Sequence, residues 1–195
     1  MKYILMMYVT LLPTIIAGIF NMIFCKLSIL KKLQYPIDGN KNFIDGKRIF
    51  GDNKTWKGLL GYIVFNICTS ILWGLICNSV NLNSYNFFYV YHENTVVYNL
   101  LIGLLLGLSY SLFELPNSFL KRRLDIEPGK TTKGFKKIFF IVLDQADSIF
   151  GCCLVVAIFY KMSFGFYLLY VLIGTVTHIV LNILLYFMKL RKNMF

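Results

Sequence analysis

The chain has 195 residues, 57% of them hydrophobic and 15% charged, with a mean hydropathy of +0.65. A soluble domain carries about 25% charged residues, so composition excludes an ordinary soluble fold and leaves a polytopic membrane protein, one domain over residues 1–195. The net charge of +11 reads as orientation in the bilayer and affinity for phosphorylated ligands, not as nucleic-acid binding.

The first apolar block covers residues 3–25. It follows Lys2 as a signal peptide would, but no A-x-A-like site ends it and it is too long for an h-region, so a retained helix is expected. Asn21 near its end either touches a lipid headgroup or caps a neighbouring helix. Cys25, Cys68, Cys77, Cys152 and Cys153 lie in or beside apolar stretches without metal spacing and read as packing residues without disulfides.

Residues 26–57 hold eight basic side chains. Asp38-Gly39, Asp45-Gly46 and Gly51 predict tight turns, and Asp52-Asn53-Lys54-Thr55 leads into the second apolar block, 58–77. The plain reading is a solvated loop. It is not a Walker A loop, because the glycine spacing before Lys54-Thr55 is wrong. An external loop, 78–95, carries Tyr85-Asn-Phe-Phe-Tyr-Val-Tyr91, aromatics that favour the membrane interface; no chemistry is assigned to it.

The third block, 96–115, contains Gly103-Leu-Leu-Leu-Gly107, the small-xxx-small pattern of helix packing. Glu114 and Pro116 close it, and Asn117-Ser118-Phe119-Leu120-Lys121-Arg122-Arg123 follows. Three consecutive cations at a membrane surface are either a topology signal near anionic headgroups or a clamp on phosphoryl oxygens.

The fourth block, 138–160, holds Leu143-Asp144-Gln145-Ala146-Asp147-Ser148. At a spacing of three, both carboxylates share a helical face. Charge inside a span is costly unless it meets water, a cation or a partner, so the alternatives are a buried polar lock between helices or a hydrated cation site. Mg²⁺ suits the second, because it takes one or two carboxylates and completes its shell with water and substrate phosphates. The fifth block, 164–188, contains His178 one turn before Asn182, a pair expected to hydrogen-bond a neighbouring helix.

Each block has about 20 residues, enough to cross a ~30 Å core, and must be helical there. The expected fold is an all-α bundle of about five transmembrane helices. Eighteen of the 20 Lys and Arg fall in 26–57, 114–137 and the tail after Met188. The positive-inside rule puts these segments in the cytoplasm, with the N-terminus outside and the C-terminus inside.

Phe50-Gly-Asp-Asn-Lys-Thr-Trp-Lys-Gly58, Ser118-Phe-Leu-Lys-Arg-Arg-Leu124 and Leu143-Asp-Gln-Ala-Asp-Ser-Ile-Phe-Gly151 together resemble the signature segments of the CDP-archaeol synthase family, relatives of the phosphatidate cytidylyltransferases. The resemblance covers essentially the whole chain. It implies a Mg²⁺-dependent transfer of CMP from CTP to a lipid phosphate, releasing pyrophosphate, in phospholipid biosynthesis. By position, it implies Asp144 and Asp147 as metal ligands and catalytic groups with Lys121 and Arg122. Glu114 stands where an Asp is expected and is a third metal candidate. Arg123, Ser118, Asn117, Lys54, Asp52, Thr55, Asp38 and Asn21 are the substrate-binding candidates. The implied partners are CTP, the lipid acceptor and the bilayer, with the site on the cytoplasmic side of the plasma membrane and the oligomeric state open, a homodimer included. The Lys-Asp and His-Gly-Gly elements of the bacterial signature are absent, which favours the archaeal-type branch, yet the tails, isoprenoid ether or diacyl, stay undetermined. The rival from another class is a small transporter or channel with a carboxylate relay. A CDP-alcohol phosphotransferase is excluded, since Asp45-Gly-Lys-Arg48 matches only the start of its motif.

Overall fold

A computed structural model describes residues 1–130 and 135–189. Lys133, Arg191 and Lys192, counted above among the basic residues, lie outside them. Five helices run α1 (Lys2–Lys26), α2 (Trp56–Ser79), α3 (Val96–Arg123), α4 (Phe135–Tyr160) and α5 (Phe164–Phe187). All five are long and apolar enough to span a membrane. Among the described residues there is no β-strand, only single bridges at Pro36–Thr55 and Asn42–Arg48. The apolar blocks mark the helices but not their ends. α3 continues through Pro116 to Arg123, so the basic cluster is the helix's last turn, where cations complement the exposed carbonyls.

Lipid is as apolar as leucine, so close packing, not the hydrophobic effect, holds such helices together. Small residues provide it here. A Cβ on Gly103 would lie 2.6 Å from the Asn66 carbonyl oxygen and from Ile67 Cα, and one on Gly107 would lie 2.6 Å from Ile63 Cα, so α3 rests directly on the α2 backbone. Gly151 of α4 meets the Ser109 carbonyl of α3 at 2.7 Å, and Gly174 of α5 meets Ile149 of α4 at 2.6 Å, by the same measure. The helices thus pack in chain order, while Leu72, Val97, Ile158 and Leu172 are more than half exposed on the outside, as a bilayer permits. All five cysteines are free.

α1 and α5 join mainly near their N-terminal ends. Tyr170 Oη donates to the Met7 carbonyl at 2.6 Å, and Tyr8 Oη lies 3.0 Å from Thr177 Oγ1. The Tyr3 and Phe166 rings meet edge to face at 5.5 Å. Beyond this joint a cavity separates the two helices. The loop between α2 and α3 departs from the expected interfacial belt. Phe87 and Phe88 are buried, and Phe87 N donates to Thr10 Oγ1 at 2.9 Å. That buried bond pulls Phe87 into the bundle against Tyr160, Phe166 and Tyr170.

Candidate active site

The site forms where α2 starts, α3 ends and α4 turns its carboxylates inward. Helical spacing puts Glu114, Asn117 and Lys121 on one face of α3, with Arg122 to its side. Asn117 and Lys121 point to α4. Asn117 Nδ2 donates to Asp144 Oδ1 at 2.7 Å and to Asp147 Oδ2 at 2.8 Å, and Lys121 pairs with Asp144 Oδ2. Asp147 Oδ1 also accepts from Ser148 N at 2.6 Å. An ionised carboxylate only accepts, so the NH₂ end of Asn117 must face both acids and its Oδ1 must face away. That Oδ1 is buried without a partner. Lys121, Asn117 and Asp147 are shielded, while Asp144 keeps 27% of its side chain exposed.

Glu114 and Arg122 meet the loop that joins α1 to α2. Thr55 caps α2, its hydroxyl accepting from Gly58 N at 3.2 Å in extended backbone. The cap holds Lys54 where it pairs with Glu114. Burial disfavours the Lys54 ammonium, but Glu114 beside it, with Asp147 and Asp144 behind, raises its pKa above the ordinary lysine value. Arg122 is 8% exposed, and its Nε and Nη1 are buried without hydrogen-bond partners. Gly51 covers it with φ +110°, and a Cβ there would come within 2.8 Å of Pro128 and 3.2 Å of Arg122 Nη1, so only glycine fits. A buried guanidinium with idle donors calls for an anion.

Two candidate residues serve the loop itself. Asp38 is buried and accepts from Arg48 Nη2 at 2.8 Å, Arg48 Nε at 3.3 Å, Phe50 N and Gly51 N at 3.0 Å, and Asn40 N at 3.1 Å. Burial alone would raise its pKa, but the Arg48 and backbone donors outweigh this and hold it down at about 2. Arg123 pairs with Asp45 at 2.8 Å, donates to the Lys47 and Arg48 carbonyls and lies over the Phe119 ring at 4.3 Å. Both residues shape the loop and are off the cavity wall. Asp52 is largely exposed, 2.8 Å from Arg48, and Ser118 is buried. Asn21 donates to the Gly58 carbonyl at 3.0 Å, tying α1 to the first turn of α2.

His178 and Asn182 line the cavity and pair with Gln145 of α4. Asn182 of α5 donates to Gln145 Oε1, and His178 Nδ1 lies 3.0 Å from the Gln145 carbonyl. A carbonyl only accepts, so that nitrogen carries the proton. The expected pairing with a neighbouring helix is therefore to α4, through the residue next to Asp144. Gln145 was legible as a polar residue between two acids in an apolar span. Lys57, buried and donating to the Leu27 carbonyl at 2.6 Å beneath the Phe24 ring, carried no such signal among eight basic residues.

Lys54, Glu114, Asp144, His178 and Asn182 border one cavity of about 400 Å³, while Asn117, Asp147, Lys121 and Arg122 stand outside its lining. Asn21, Asn53, Lys54, Thr55, Glu114 and Asp144 mark its polar end; Met7, Leu11, Ile173 and Tyr170 mark its apolar end. Among the described residues no three His, Cys, Asp or Glu side chains cluster as a metal site. The donors still fit a hard cation. Asp144 and Asp147 offer carboxylate oxygens from one helix face, and Mg²⁺ needs only one or two protein carboxylates.

The family model described as CarS-like, CDP-archaeol synthase, matches residues 1–195. The chain is similar to a CDP-archaeol synthase of Pyrobaculum aerophilum, 32% identical over 162 residues and 83% of each chain. A CDP-archaeol synthase of Sulfurisphaera tokodaii is 30% identical over 80% of each chain. A solved structure described as an intramembrane enzyme for archaeal membrane lipids biosynthesis shares the fold, with a TM-score of 0.59 and 23% identity over 90% of this chain and 92% of the other.

Proposed function

This chain belongs to the CDP-archaeol synthase family, and we propose a residue-level account of its reaction. It is a membrane-embedded nucleotidyltransferase, a CTP-dependent lipid cytidylyltransferase of archaeal-type lipid synthesis. That sets aside the transport reading. The finer proposal is that a phosphate oxygen of the lipid attacks the α-phosphorus of CTP. One P–O bond forms, the bond to the β-phosphate breaks, and CDP-lipid and pyrophosphate leave. The whole chain works as one domain in the plasma membrane, with the site facing the cytoplasm as the basic loops indicate.

One observation carries this reading. Asp144, held with Asp147 by Asn117, lines the polar end of a cavity with an apolar far end, while Arg122, next in sequence to the Lys121 that pairs with Asp144, has idle buried donors. A polyanion and a lipid are the two ligands such a site satisfies. A lipid phosphate, with a second pKa near ~6, already carries the charge for attack, so no general base is required. Arg122, Lys121 and Lys54 take the triphosphate charge, with Ser118 and Thr55 at hand for hydrogen bonds. Lys121 leaves Asp144 to do so. Asp144 and Asp147 would hold Mg²⁺. When bound, the ion supplies charge screening for the two anionic reactants and for the leaving pyrophosphate. Glu114 is the partner that keeps Lys54 in place rather than a ligand.

The test is incorporation of labelled CMP by the purified protein with CTP and Mg²⁺ over a panel of isoprenoid ether and diacyl lipid phosphates. Transfer to at least one acceptor is expected, lost on chelation of the metal. Transfer to none overturns the reading.

A further inference from the structure

We propose that Tyr170 and Met7 form a stop for one lipid tail, so that these two residues limit the tail length the enzyme accepts. The inference rests on the lipid acceptor proposed above, and it assigns the cavity's far end.

The apolar part of the cavity is walled by α1 and α5 and ends at Met7 and Tyr170. Both are 2% exposed, and the Tyr170 hydroxyl crosses from α5 to the Met7 carbonyl at 2.6 Å. Behind Tyr170 stands Phe87, fully buried, its ring centroid 6.0 Å away. Phe87 is held by its own backbone bond to Thr10 and by the Tyr160 ring at 4.4 Å. The floor is thus two layers deep, and the loop between α2 and α3 supplies the second layer.

The polar end lies at Asn21, fourteen residues along α1 from Met7. At ~1.5 Å per residue the bore is about 21 Å long. That exceeds one leaflet, about 15 Å of a ~30 Å core, but not the whole core. An extended tail that ends inside the membrane fits; one long enough to span it does not. A cavity of about 400 Å³ is also near the low end of ligand pockets, roughly 300–1,000 Å³, too small for both tails of a diradyl lipid. One tail enters and the other stays in the bilayer. Depth then discriminates, because adding methylenes against a closed floor displaces the phosphate from the polar end.

The experiment uses the full chain in bilayer nanodiscs and lipid phosphates that share one headgroup and differ in tail length. kcat/KM is expected to fall by about tenfold once the longer tail meets the floor, as an extra methylene costs in a closed pocket. Met7→Ala and Tyr170→Ala should move that fall to longer tails. Tyr170→Phe, which keeps the ring and loses the hydrogen bond, should leave it in place. Met7→Ala serves if Tyr170→Ala does not fold. An unchanged limit in a folded, active Met7→Ala overturns the proposal, as does a wild-type profile without a limit. A wild type that transfers CMP to no acceptor instead overturns the functional reading, and this proposal with it.

Discussion

Asn117 gives one amide hydrogen to Asp144 and the other to Asp147, at 2.7 and 2.8 Å, and so holds two acids of one helix from the next. On the proposed reading these carboxylates hold the metal and Asn117 orients them. Asp144→Asn and Asp147→Asn should each abolish CMP incorporation while the thermal unfolding midpoint changes little. Asn117→Ala should lower turnover by about 10- to 100-fold, as loss of a group that orients metal ligands does. Full activity in either Asp variant would remove the carboxylates from the chemistry.

Arg122 is the cation with the fewest partners in the site. Replacing an unpaired buried charge by an apolar side chain of similar size removes a desolvation penalty, so Arg122→Met should raise the unfolding midpoint of the ligand-free protein. The same variant should lose the stabilisation that CTP confers and raise the KM for CTP by about tenfold or more, the loss expected for a charge-assisted hydrogen bond of about 1.5–3 kcal/mol. Thermal shift with and without CTP reads both effects. A destabilised free protein with unchanged CTP affinity would show that Arg122 only supports the fold.

Gly103 and Gly165 form a matched pair for packing. A methyl group on Gly103 must displace the α2 backbone, so Gly103→Ala should destabilise by about 1–3 kcal/mol, the cost of overpacking. Gly165 has nothing within 4 Å of a built Cβ. There Gly165→Ala should be neutral or stabilising by up to about 1 kcal/mol. Unfolding in mixed micelles, followed by circular dichroism, compares the two; equal effects would contradict the close approach of α2 and α3.

Acid should loosen the loop between α1 and α2 through Asp38. Its folded pKa of about 2 lies below the unfolded value near ~3.9, so its contribution is present above about pH 4. It is lost as pH falls from there through about 2, and at neutral pH it amounts to about 3 kcal/mol. Proteolysis between residues 38 and 52 should therefore accelerate with acid over that window. In Asp38→Asn the loop should be cut faster already at pH 7, with a weaker dependence on acid. A loop equally resistant in the variant would mean that the five hydrogen bonds to Asp38 do not hold it.

Five spans were legible because a bilayer imposes a length and an apolar composition that appear directly in the residue order. The acids of α4 were legible because ionisable groups inside a span are costly. The loop residues were harder. Asp38 and Arg123 share their residue types with ligand-binding groups, yet they fold the loop, Asp38 with Arg48 and Arg123 with Asp45. A charged side chain that binds substrate and one that ties a turn look alike until its partners are known.

The residue order by itself determined the membrane-spanning class, the α4 acids, the basic clusters and, through three ordered segments, the family. Local rules suffice for these: hydropathy over about 20 residues, helical spacing, and motif identity. Only the tertiary structure decided that Asn117 joins Asp144 to Asp147, that Lys54 answers Glu114 across 60 positions, and that Phe87 turns inward to back the cavity floor. Those relationships depend on which helix faces which and on glycines that let backbones touch. Such contacts between distant parts of the chain leave no periodic trace in the sequence.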